Sequence, residues 1–238
     1  MKAKIVSIVG LTSSGKSSLG IQIAKMFNGE IVSCDSRQVY KHLDLTSGKV
    51  TQEEQSQVKH HLLDVMQLGG KYMDVFAFQQ LAYDAIDDIL SRKKLPILVG
   101  GTGLYSRAVV EGYGFKEKSN PRYDVLQIAL MPSKVVLAPL VKNRIDQRLA
   151  AGMLDETRKI LETVDEAWLS VLGLECYWNT QRVQNRITDE VYRDRLFTKT
   201  MQYAKRQRTW FKKEKNTHFL TDMDTFLEKT SSLVQEFL

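Results

Sequence analysis

Gly10-Leu11-Thr12-Ser13-Ser14-Gly15-Lys16-Ser17 decides the fold of this 238-residue chain. The stretch has the form GxxxxGK[ST], follows the apolar run Ile5-Val6-Ser7-Ile8-Val9 and leads into a helical-looking segment over 18–27. A strand, such a loop and then a helix bring backbone N–H groups, a helix N-terminus and a lysine around one anion. Gly10, Leu11, Thr12, Ser13, Ser14, Gly15, Lys16 and Ser17 are therefore the candidate phosphate-binding residues. Lys16 is expected on the terminal phosphates and Ser17 as a ligand to Mg²⁺. The motif leaves open whether the phosphates belong to ATP, to another nucleotide or to a different pyrophosphate.

The rest of the chain extends the alternation. Candidate strands fall at 4–9, 30–34, 61–65, 95–99 and 126–130, with a short one at 218–220. Between them, Phe76, Phe78, Leu81, Ala82, Ala85, Ile86 and Leu90 recur at helical spacing over 75–90. Strand, crossover helix, strand predicts an α/β fold, a mostly parallel sheet covered by helices, with ligands outside the carboxyl ends of the strands. From Pro139 onward the chain reads largely as helix. The segment 112–121, rich in Gly, Lys, Ser and Asn, has linker character. A hydrophobic content of 43% supplies a full core, and 1–238 reads as one domain. No apolar stretch approaches the roughly 18 residues of a membrane span and no leader precedes the first strand, so a cytoplasmic protein is expected. Cys34 and Cys176 have neither metal nor disulfide spacing and are expected as reduced thiols.

Charge adds a partner class. Between Arg182 and Lys215 stand eleven Lys/Arg against four Asp/Glu, a surplus of +7 that accounts for the chain's whole net charge of +6. A basic helical C-terminal portion on a balanced body suits nucleic acid, because phosphate neutralisation gives affinity independent of sequence; a solvated basic helix is the plainer alternative. Within it, Tyr203-Ala204-Lys205-Arg206-Gln207-Arg208-Thr209-Trp210-Phe211 puts Lys205, Arg208 and Lys212 on one stripe and Tyr203, Gln207 and Trp210 on another.

Three further segments fall at the expected ligand edge. Asp35, after the second strand, is placed to act as a magnesium ligand, a general base or a helix cap. Gly100-Gly101-Thr102-Gly103 ends the fourth strand, where two glycines let backbone approach a ligand and Thr102 offers a hydroxyl. Arg144 and Arg148, four apart on one helix face, both have the reach of a lid arginine.

Together these motifs resemble the tRNA dimethylallyltransferases. The resemblance runs through the phosphate loop, Asp35-Ser36-Arg37-Gln38-Val39-Tyr40, His60-His61-Leu62-Leu63-Asp64-Val65, the segment 96–105, Arg144 to Arg148 before 152–156, and 203–211. It spans nearly the whole chain in the family's order. It implies a P-loop NTPase-like fold in which the loop holds the diphosphate of dimethylallyl diphosphate with Mg²⁺. It also implies transfer of the dimethylallyl group to N6 of the adenosine next to the anticodon in tRNA. Asp35 would be the base, while Lys16, Thr102 and Arg148 would stabilise the leaving group. Asp35, Ser36, Arg37, Gln38, Lys205, Arg206 and Arg208 would meet tRNA, and a monomer is expected.

Two departures stand out. Members of that family usually carry a helical, anticodon-gripping insertion after the Gly-Gly-Thr helix, whereas here Gly112 leads to Tyr123 in ten residues. Asp44-Leu45-Thr46-Ser47-Gly48-Lys49-Val50 replaces the usual Asp-Ile-Gly-Thr-Ala-Lys-Pro. The missing insertion motivates an alternative acceptor, free adenine nucleotide, against which the basic 182–215 segment argues. A small P-loop kinase and a catalytically silent RNA-binding remnant are the remaining alternatives.

Overall fold

The computed structural model describes residues 2–112 and 120–238. Strand β1 (Lys4–Gly10) feeds the phosphate loop and α1 (Lys16–Met26), which returns to β2 (Gly29–Ser33). Then come α2 (Gln52–Gln57), β3 (His60–His61), α3 (Val75–Ser91), β4 (Leu95–Gly100), α4 (Gly103–Val110) and β5 (Asp124–Leu130). The remainder is α5 (Lys134–Ala150), α6 (Met153–Leu161), α7 (Glu166–Leu172), α8 (Leu174–Val183) and α9 (Asp189–Phe211), followed by β6 (Thr217–Leu220) and α10 (Phe226–Phe237). The strands form one parallel sheet in the order β3-β2-β4-β1-β5-β6.

Strand alternation divides the core. Ile5, Val32 and Leu98 meet Phe78, Ile86 and Ile89 of α3 and Val109 of α4 on one face. Val6, Ile8, Ile97 and Ile128 meet Leu19 and Ile23 of α1 and Phe226 and Val234 of α10 on the other. Each such side chain contributes about 1.5–3 kcal/mol on burial. A third cluster joins Val9, Leu11, Ala129 and Met131 to Val141 of α5 and Ala204 and Phe211 of α9. That packing brings α5 and α9 beside the phosphate loop.

Glu30, the second residue of β2, is almost fully buried, at 2% exposure. Both its oxygens accept from Arg92, Lys94 Nζ lies 2.8 Å from Oε1, and His61 Nε2 lies 2.7 Å from Oε2. The Arg92 hydrogen bonds hold its carboxyl well below the usual carboxylate range against the opposing effect of burial, with Lys94 and His61 assisting.

The six expected strands are present, but the third is much shorter than 61–65. Leu62 (φ 63°) and Asp64 (φ 56°) take left-handed backbone conformations that end the ladder after His61. The chain past them instead crosses to the Arg37–Tyr40 turn, where Met66 N–H donates to Val39 O at 2.8 Å. Of the linker-like 112–121 segment, 113–119 lies outside the described residues, as does the position where the insertion would stand; at its flanks Asn120 N–H donates to Gly112 O at 3.3 Å.

Candidate active site

Beyond the carboxyl end of β1, the phosphate loop forms the floor of a cleft of about 500 Å³. Lys16 and Ser17 enter it from the first turn of α1, Asp35 from the segment after β2, Arg144 and Arg148 from α5, and Tyr203 and Gln207 from α9. The spacing of Arg144 and Arg148 puts both on the face of α5 turned to the cleft.

The cleft is built for an anion. Lys16 is half-buried with its ammonium bonded to the Leu11 carbonyl, and desolvation together with the Arg144 guanidinium pushes it down to about 7, with Asp35 pulling the other way. Arg144 Nη1 donates to Thr12 Oγ1 at 3.1 Å, and its Nη2 to Gly48 O at 3.2 Å. The Ser14 hydroxyl is fully buried and has no partner among the described residues. Converging cations and a buried unpartnered hydroxyl in a helix-capping loop match the demands of linked phosphates.

Asp35 stands at the rim. Its Oδ1 accepts from Arg37 N–H at 2.9 Å, so its carboxylate shapes the local turn and caps no helix. Thr102 takes a different place from the one expected. Its Oγ1 accepts from Ser36 N–H at 3.1 Å and sits 3.4 Å from Ser36 Oγ. The hydroxyl thus braces the residue after Asp35, and Thr102 does not line the cleft. The two glycines before it admit other parts of the protein to close range. A Cβ on Gly100 would run into the Cys34 carbonyl, and one on Gly101 would lie 2.6 Å from Gln207 Nε2.

Arg148 also differs from its expected role. It donates to the carbonyls of Leu45 and Thr46 and has Glu175 3.8 Å away, so it holds the 44–49 loop while Arg144 makes the phosphate-loop contact. The same loop is held from the other side by Glu156, whose oxygens accept from the N–H groups of Asp44 (3.0 Å), Leu45 (2.7 Å) and Thr46 (2.8 Å). Lys49, also from this loop, is buried between Asp44 and Asp64 and donates to Tyr40 O.

Among the residues expected to meet tRNA, Lys205 and Arg206 are exposed on α9, as is Lys212 just past its end. Arg208 is not a free surface cation, because it donates to the carbonyls of Met131 and Pro132 and so ties α9 to the end of β5. Arg37 lies inward, its Nε on Leu172 O at 3.1 Å and its guanidinium 5.8 Å from the Tyr203 ring. Gln38 donates to Gly48 O at 3.2 Å and accepts from Ser33 Oγ. Ser36 is spent on Thr102. Sequence reasoning missed the loop-holding role of Glu156 and the bridge that the Gln207 amide makes between Thr12 N–H and Gly101 O. Three consecutive N–H groups in a turn do call for an anion, but nothing in the linear pattern says which carboxylate answers.

No group of three or more His, Cys, Asp or Glu side chains poised to hold a metal occurs among the described residues. Ser17, which lines the cleft beside Lys16, offers a hydroxyl oxygen of the kind Mg²⁺ accepts when it keeps waters and shares substrate phosphates.

The chain matches the family model described as IPP transferase over residues 38–122 and 113–214, two pieces that meet around the short 113–122 segment. It is 32% identical over 293 residues to a tRNA dimethylallyltransferase of Streptococcus agalactiae, covering 100% of this chain and 98% of the relative. It is 34% identical to tRNA dimethylallyltransferase 2 of Shewanella sediminis, covering 88% and 89%. Among solved structures, the full-length tRNA isopentenylpyrophosphate transferase of Bacillus halodurans superposes with a TM-score of 0.91 at 27% identity, covering 99% of this chain and 96% of that one. The tRNA Δ(2)-isopentenylpyrophosphate transferase of Staphylococcus epidermidis gives 0.90 at 27% identity, covering 99% and 100%. With the parallel sheet, phosphate loop and flanking helices already described, these matches make the chain a member of the IPP transferase family.

Proposed function

We propose that this protein transfers the dimethylallyl group of dimethylallyl diphosphate to N6 of the adenosine next to the anticodon in tRNA. The observation that carries the reading is a single cleft in which Lys16, Arg144 and the phosphate loop surround an anion site with Asp35 at the rim. The family membership gives that geometry its substrates.

The chemistry follows from the residues. The diphosphate lies in the loop against Lys16, where its charge relieves the mutual repulsion of Lys16 and Arg144. The exocyclic amine of adenine is a weak nucleophile because its lone pair is shared with the ring. Asp35 accepts the N6 proton as nitrogen attacks the allylic carbon, the C–O bond to the diphosphate breaks, and pyrophosphate departs. Lys16, Arg144 and the loop N–H groups stabilise the negative charge that grows on the leaving oxygen. Ser17 would hold Mg²⁺ on the phosphates, where the ion supplies further charge neutralisation. Thr102 and Arg148 act at one remove, by bracing Ser36 and the 44–49 loop.

RNA docks along the outer side of α9, where Lys205 and Arg206 are exposed, with Lys212 just beyond. This surface carries more of the load because the family's gripping insertion has no counterpart in the short 112–123 connection. Two facts support that reading. The family match is split at 113–122, and the S. agalactiae alignment extends over 293 residues against 238 here. A tRNA substrate places the work in the cytoplasm; among the described residues no helix is long and apolar enough to cross a membrane.

The test is incubation of the purified protein with labelled dimethylallyl diphosphate and Mg²⁺, offering tRNA or AMP as acceptor. Label in tRNA supports the proposal. Label in AMP alone moves the activity to free nucleotides, and label in neither leaves a binding protein.

A further inference from the structure

Gln207 is buried at 5% exposure within the basic helix, and both ends of its amide bond backbone groups of the cleft loops. Its Oε1 accepts from Thr12 N–H at 2.8 Å, and its Nε2 donates to Gly101 O at 2.9 Å. The orientation of the amide is fixed by its partners, since a backbone N–H only donates and a carbonyl only accepts. One side chain therefore spans the loops that leave β1 and β4, which carry the phosphate site and Thr102. One turn further along α9, the Trp210 indole occupies the space where Gly103 would otherwise carry a Cβ. Thr102 is thus held from both sides, and its hydroxyl in turn holds Ser36, the neighbour of Asp35.

We propose that Gln207 is the positioning residue that fixes the separation between the leaving-group loop and the base, with Trp210 seating the same turn. The inference rests on the transferase reading given above. The path has two arms. Through Thr12, whose hydroxyl also receives Arg144, Gln207 sets the height of the phosphate loop. Through Gly101 it sets Thr102, Ser36 and hence Asp35. A nucleophile and a leaving group held by different strands need such a cross-brace, because a misplacement of about 1 Å can cost roughly 10² in rate. The helix that supplies the brace also presents Lys205 and Arg206 outward, so RNA loads the element that aligns the two catalytic loops.

The experiment compares Gln207→Met, which keeps length but makes neither hydrogen bond, with Gln207→Ala, with Gly101→Ala and with Gln207→Ala combined with Gly101→Ala. Each is measured for kcat, KM for tRNA, pyrophosphate affinity and thermal midpoint. Gln207→Met should lower kcat by about 10- to 100-fold while KM for tRNA stays within about threefold. Gly101→Ala alone should be impaired because its methyl presses on the amide. The double variant should lose less than the product of the single losses, since Gln207→Ala clears that space. A folded Gln207→Met with wild-type kcat, or a double variant whose losses simply multiply, overturns the proposal. Should Gln207→Met fail to fold, Gln207→Ala, Gly101→Ala and their double variant decide alone. A wild-type protein that binds pyrophosphate but prenylates neither tRNA nor AMP would end the transferase reading only. The brace is then judged by pyrophosphate affinity, which should fall at least several-fold in Gln207→Met and which overturns the inference if unchanged.

Discussion

Glu156→Gln should loosen the 44–49 wall of the cleft by about 3 kcal/mol. The carboxylate receives three backbone N–H groups, two at Oε2 and one at Oε1. An amide in its place can turn its oxygen toward Asp44 and Leu45, but its NH₂ then faces Thr46 N–H, donor against donor. Hydrogen bonds to a charged group contribute about 1.5–3 kcal/mol and neutral ones about 1. One bond is lost and two are weakened, and partial hydration of the exposed Asp44 end trims the total. For a chain of this size, about 3 kcal/mol corresponds to a fall of roughly 6–12 °C in Tm. The same loop presents the Gly48 carbonyl to Arg144 and Gln38, so the KM for dimethylallyl diphosphate should rise as well. Thermal unfolding by circular dichroism and steady-state kinetics on the purified variant read both effects. A Tm within about 2 °C of wild type together with an unchanged KM would refute the reasoning.

Other outcomes follow from the same contacts. Lys16→Ala removes the charge at the leaving group and should cost about 10²–10³ in kcat, measured by single-turnover transfer. Asp35→Asn should lower kcat by about 10²–10⁴ with pyrophosphate binding intact in calorimetry; collapse of binding would mark Asp35 as a metal ligand. Replacing Lys205, Arg206 and Lys212 by Gln should raise KM for tRNA, leave KM for the diphosphate unchanged, and flatten the salt dependence by roughly 0.7–0.9 log units per cation that contacts a phosphate. Because the folded carboxyl of Glu30 titrates below its ordinary 4.5, its contribution is fully present above that pH and is lost as pH falls through the folded value. Glu30→Gln should cost about 3 kcal/mol at pH 7 and flatten the acid limb of a urea-stability profile below pH 4.5.

The sheet and its phosphate loop were legible because they rest on local signals: apolar β-branched runs, a glycine-lysine loop and helical periodicity. The shortened third strand was not, since nothing in the stretch His61 to Val65 announces that Leu62 and Asp64 adopt left-handed backbone. The cleft lining was half legible. Lys16, Ser17, Asp35 and the arginine pair were found from motif and spacing, but dividing work between Arg144 and Arg148 requires knowing where the 44–49 loop lies. That arrangement arises from contacts about a hundred residues apart in sequence, such as Arg148 with Leu45 and Glu156 with Thr46. Arg208 shows the opposite failure, a basic residue on an outward-looking stripe whose side chain turns back to two carbonyls. Thr102 shows a third, a hydroxyl at the ligand edge that the fold spends on Ser36.

The most direct test of the central claim is to locate the product. Unmodified tRNA is incubated with the purified protein, dimethylallyl diphosphate and Mg²⁺, then digested and mapped by liquid chromatography and mass spectrometry. The expected result is isopentenyladenosine at the adenosine next to the anticodon with wild-type protein and its near absence with Asp35→Asn. Isopentenyl groups found only on free adenine nucleotide, or none with either acceptor, would contradict it.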